Sequence, residues 1–194
     1  MTIRTKPEFD YQTTDRGLGY NLPQKMGRRL WAPMFLMALM GFTVGIILAF
    51  VRADEIAGDR DPETLTALQH LVPAFMFIGF LSVLAAISFA IARILGAFRK
   101  GGGEVQETVG APVQTLRMPI TAKVFMLFMM MGMMTILLMV ILHFVAVGVV
   151  SGELERSEDW VIRLEGFRRL GIAMYLFGIA LGLATIINVL RFQA

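Results

Sequence analysis

Residues 124–150 read VFMLFMMMGMMTILLMVILHFVAVGVV, a run with no charged side chain anywhere in it. As a helix rising 1.5 Å per residue it extends ~40 Å, more than the ~30 Å hydrocarbon core of a bilayer. A strand through lipid would alternate apolar and polar positions over about ten residues, and no such alternation exists here. In hydrocarbon every backbone N–H and C=O must find its partner within the segment, so an uninterrupted apolar run of this length must be a complete helix.

Three further stretches have the same character: Trp31 to Val51, Leu71 to Leu95, and Leu170 to Leu190. None contains Asp, Glu or Lys, and Arg93 stands only at the end of its run. With 56% hydrophobic and 17% charged residues, the chain lies outside the range of soluble domains. The reading is an all-α integral membrane protein, four transmembrane helices arranged as two hairpins in a bundle.

Its expected organisation is an N-terminal tail over 1–29, a first hairpin over 30–98, a loop over 99–119, and a second hairpin over 120–194. The tail is polar and lacks the apolar core of a cleavable signal, so the first span is expected to serve as an anchor. An even number of spans puts both termini and the 99–119 loop on one side. That side carries twelve of the 18 basic residues and five of the 15 acids, a net of +7, against −4 opposite. The positive-inside rule then makes both termini cytoplasmic, and a bacterial inner (plasma) membrane is the expected location. The basic excess fits anionic lipid and needs no nucleic acid.

Local signals refine this picture. Asp61-Pro62-Glu63-Thr64 reads as a helix start, with Asp61 capping and Pro62 at the first helical position. The second helix should therefore begin outside the membrane and run to about Phe98. Gly101-Gly102-Gly103 should break it and open a mobile polar loop. Between Glu155 and Arg169, Trp160, Leu164 and Phe167 recur at helical spacing, which suggests a short interfacial helix near 155–169 before the fourth span. Gly41-x-x-x-Gly45 and Gly178-x-x-x-Gly182 offer flat patches for close helix contact, within the bundle or against another protein. A faint echo links residues 35–41 to residues 126–132, each ending in glycine.

Chemistry is concentrated in two residues. His70 and His143 are the only histidines, and cysteine is absent. Both fall toward the side opposite the termini, on neighbouring helices. Two facing imidazoles are what a six-coordinate b-type haem requires. Gly132, one face below His143, would leave room for a flat ligand, while Ala74, Phe77 and Leu81 would form a wall below His70. Arg168 and Arg169, with Arg163, suit propionates. Against this, His70 looks shallow, at the headgroup level. A copper site adding Met139 is a softer alternative. The seven methionines between Met126 and Met139 encircle their helix and read as packing.

No span contains a carboxylate, which disfavours ion-coupled transport. Phosphate-binding loops, nucleophile elbows and metalloprotease helices are missing, so no stand-alone catalytic motif exists. The functional expectation is a non-catalytic membrane subunit of an electron-transfer assembly, with a b haem between His70 and His143 and a possible quinone. The alternative is a cofactor-free structural or accessory subunit that stabilises or docks a larger complex. A small membrane component of a transporter stands third. Expected partners are the lipid bilayer and other membrane subunits.

Overall fold

A computed structural model describes residues 11–14, 22–58, 61–101 and 103–193. Four long helices dominate: α1 (Leu22–Ala57), α2 (Pro62–Lys100), α4 (Ile120–Val149) and α5 (Leu154–Gln193). Each is long and apolar enough to cross a membrane. The helices are 30 to 40 residues long, well beyond the ~20 a bilayer demands, so each carries turns outside the hydrocarbon. The all-α four-helix membrane bundle expected from the sequence is the observed fold.

The start of α2 forms as its sequence indicates. Asp61 caps it, accepting from Thr64 N at 2.9 Å and from Thr64 Oγ1 at 2.5 Å. Those bonds, the side-chain one first, hold the Asp61 carboxyl below its ordinary pKa. Asp61 N in turn donates to Glu55 Oε1 at 3.1 Å, which ties the turn back to α1. At its other end α2 closes on Gly101, whose positive φ of 47° and N–H to Ala97 O end the helix.

Packing is centred on α2. It meets α1 on one side and α4 and α5 on the other, while α4 and α5 pack on each other. By contrast α1 makes no comparable contact with α4 or α5. Glycines set the crossings. A Cβ on Gly41 would stand 2.7 Å from Gly79 N, and one on Gly132 would stand 2.9 Å from the Tyr175 ring and 3.1 Å from Gly171 O. The two glycine patches therefore serve the bundle itself: Gly41 and Gly45 lie against α2, and Gly178 and Gly182 against Met129, Ile91 and Phe125. The two echoing glycines, Gly41 and Gly132, each mark the crossing within their own hairpin. The core joins Phe77, Ile91, Leu95, Phe125, Met129, Ile136, Met139 and Tyr175. Outward faces of α1 and α4 stay apolar, with Met126, Met130, Met131 and Met134 exposed and only Met129 and Met139 fully inside.

Three expectations require correction. The 99–119 loop is partly ordered: a short helix α3 (Gly103–Thr108) leads to strand β2 (Val113–Leu116). That strand pairs antiparallel with β1 (Tyr11–Thr14), Tyr11 opposite Leu116 and Thr14 opposite Val113. Backbone ladder bonds and the buried side chains of Val113, Thr115 and Leu116 stabilise what composition alone marked as a linker. Second, α1 begins at Leu22, so the last turns of the supposed tail are helical. Third, 155–169 is no separate interfacial helix. It forms the first turns of an unbroken α5, with no proline or turn to interrupt it, and of its apolar stripe Leu164 is buried and Trp160 packs against the core while Phe167 stays exposed.

Candidate functional site

The turn at 150–153 and the closeness in sequence of Ala57 to Pro62 bring the starts of α2 and α5 and the end of α4 to one end of the bundle. The α4–α5 turn is lashed to α2, for Gly152, in the left-handed region at φ 75°, donates its N–H to Thr66 Oγ1 at 3.0 Å. Thr66 passes its own proton back to the helix carbonyls of Pro62 and Glu63. One turn further along α2 from Thr66 is His70.

His70 is fully buried and His143 nearly so. Their Nδ1 atoms are 3.1 Å apart and the ring centroids 5.3 Å, so the two rings are hydrogen-bonded directly. His70 Nε2 meets Ser157 Oγ at 3.1 Å, and Ser157 Oγ lies 3.1 Å from Gln69 Oε1. One polar chain thus runs Gln69, Ser157, His70, His143 and ties α2, α5 and α4 together. The start of α5 covers His70, so the ring is enclosed by protein at this end of the bundle.

Counting protons defines the direction of this chain. A neutral imidazole has one N–H and one bare nitrogen. When Ser157 donates to Gln69, His70 Nε2–H donates to Ser157 and its bare Nδ1 accepts from His143. Gln69 Oε1 is a carbonyl oxygen and can only accept, so Ser157 donates to it and the chain has this one direction.

Metal geometry fits less well. Imidazole nitrogens on opposite faces of one metal stand about 4 Å apart, twice a metal–nitrogen bond. At 3.1 Å the two Nδ1 atoms as they stand are too close to hold an iron between them. The gap below His143 expected at Gly132 is filled by the Tyr175 ring. A smaller ion could bridge both Nδ1 atoms side by side, yet among the described residues no third His, Cys, Asp or Glu joins them. Met139, one turn from His143, lies in the apolar core with Ile136 and Val140.

Of the two arginines Arg168 and Arg169, Arg168 stands near enough to His143 for its charge to act on that ring. Arg168 pairs with Glu165 and lies over the Phe77 ring, its guanidinium carbon 5.4 Å from the centroid. Arg169, with 78% of its side chain exposed, pairs with the same Glu165 at 2.9 Å. Arg163 is exposed. Ser157, Gln69 and Thr66 are the site residues that sequence reasoning passed over. Ser157 shares a helical face with Trp160 and Leu164 at spacings of three and seven, and Thr66 precedes His70 by four; those offsets were the available signal.

A second feature lies alongside. Gly171 of α5 meets Ile136 of α4, and the helices are antiparallel, so residues 158–170 stand beside residues 137–149. Over that stretch α4 exposes Leu138, Ile141, Val145 and Val149, while α5 exposes Glu158, Asp159, Arg163 and Arg169 together with Ile162, Phe167 and Leu170. The α4 flank is apolar there, and the adjoining α5 flank mixes charged and apolar side chains. Searches against protein-family models, curated proteins and solved structures matched nothing.

Proposed function

We propose that the chain is a non-catalytic subunit of a larger membrane assembly, and that its role is structural: it stabilises or docks that assembly. The observation that carries this is the set of exposed charges on the α5 flank. Exposed Arg163 and Arg169, with Glu165, stand beside the apolar flank of α4, and charged side chains facing lipid are costly. A polar face from another membrane subunit relieves that cost. The positive end, bearing both termini, is cytoplasmic on this reading, and the basic balance suits a bacterial plasma membrane. His70, His143 and Ser157 act as a polar lock that fixes the three-helix core, because their hydrogen bonds join α2, α4 and α5.

The experiment is purification in mild detergent, with and without Arg163→Leu and Arg169→Leu. A stoichiometric partner that the double variant loses, while the helical content stays intact, supports the reading. A monodisperse solitary chain in nanodiscs, indifferent to both substitutions, refutes it.

One specific observation favours the electron-transfer alternative: two imidazoles from different helices share a level. A b haem there would require both rings to turn and Ser157 to be released. A reduced-minus-oxidised spectrum with a b-type α band lost in His143→Ala would establish it, with haem and quinone as cofactor and partner.

A further inference from the structure

Because α1 leans on α2 alone, a cleft stays open between α1 and α4. Its apolar part, about 420 Å³, runs past Met26, Phe89, Ala92, Met126, Met130 and Met133. A second cavity of about 430 Å³ continues from it and shares Ala92, Lys123, Phe125 and Met126 with the first. Here the character changes: Arg99, Arg117 and Lys123 gather at the mouth with Gln24. No acidic residue lines either part. Arg117 and Lys123 are exposed and have no carboxylate partner among the described residues. Among the described residues Arg99 meets the Gln24 amide oxygen, at 3.5 Å.

We propose that this groove binds one anionic phospholipid, its phosphate among Arg99, Arg117 and Lys123 and one acyl chain along α4. Length supports that occupant. From Lys123 to Met133 the groove follows ten residues of α4, ~15 Å, which is half of a ~30 Å hydrocarbon core and so the depth of a single leaflet. Charge supports it as well. Three cations at the membrane surface with no acid among them favour a net negative head group, whereas a zwitterionic one brings its own ammonium into their field. The strand β2 positions the mouth: buried Leu116 anchors the loop, and Arg117 follows it directly.

The test uses the full chain in detergent, with retained lipid read by native mass spectrometry after mixing with phosphatidylglycerol or phosphatidylcholine of identical acyl chains. Phosphatidylglycerol should be retained at least about tenfold better, and this preference should weaken with salt. Arg117→Gln and Lys123→Gln, at exposed positions, should each lower the preference about fivefold without loss of helix. Met130→Trp, which fills the groove, should lower retention of both lipids. Equal retention of the two lipids, or a preference that survives the double Arg117→Gln/Lys123→Gln variant, overturns the proposal. So does retention of a neutral quinone in place of phospholipid.

Discussion

The imidazole chain makes a quantitative claim that a double-mutant cycle can check. His70 has two hydrogen bonds, to His143 and to Ser157, while His143 has one of these. Interhelical hydrogen bonds in membrane proteins average about 0.6 kcal/mol, with a maximum near 1.7. On that scale His143→Leu should cost roughly 0.6–1.7 kcal/mol in hydrogen bonding, with His70→Leu and Ser157→Ala, each losing two bonds, about twice as much. Leucine keeps the volume close to that of imidazole, so cavity terms stay small. In the double variant the shared bond is counted once, giving a coupling of about 0.6–1.7 kcal/mol. Stability would be read by steric trapping or by SDS-induced unfolding of the reconstituted protein. Additivity within about 0.5 kcal/mol, or a costlier His143→Leu than His70→Leu, would refute the lock.

Three other outcomes follow from the fold. Gly41→Ala places a Cβ 2.7 Å from a backbone nitrogen that cannot turn aside, and should cost about 1–3 kcal/mol by thermal unfolding; Gly148→Ala, with nothing within 4 Å, should be neutral or stabilising. The Asp61 carboxyl is held below its unfolded pKa of about 3.9, so its contribution is complete above that value and lost as pH falls through the lower folded one. Hydrogen exchange at the amides of Thr64 and Leu65 should accelerate in acid, and Asp61→Asn should abolish that pH dependence. Deleting residues 1–20 should expose the amides of Val113–Leu116 to exchange while the four long helices keep theirs, because it removes the paired strand.

The spans were legible because lipid imposes a length and a composition on any segment that crosses it, and VFMLFMMMGMMTILLMVILHFVAVGVV satisfies both. The Asp61 cap was legible because it is a local device. What escaped depends on pieces far apart in the chain. Burial of His70 requires α5 to stand upright from Leu154, and an amphipathic stripe reads the same against lipid as against a helix. Gly132 suggested space until Tyr175, 43 positions later, was seen to fill it. The strand pair joins two four-residue segments too short to stand out. The exposed charges of α5 became conspicuous only when Gly171 met Ile136 and set them beside the apolar flank of α4.

That strand pair also acts as a counter. Two strands can join only within one aqueous compartment, so the pairing of Tyr11 with Leu116 demands an even number of crossings between them. During synthesis β1 emerges first and waits for roughly 100 further residues, or roughly 5–20 s at ribosomal speed. Throughout that interval the first hairpin must hold itself by its glycine crossing. A chain in which one of the first two helices fails to insert leaves β1 and β2 on opposite sides, each with a bare edge. The clasp therefore closes only on molecules whose first two helices have both crossed.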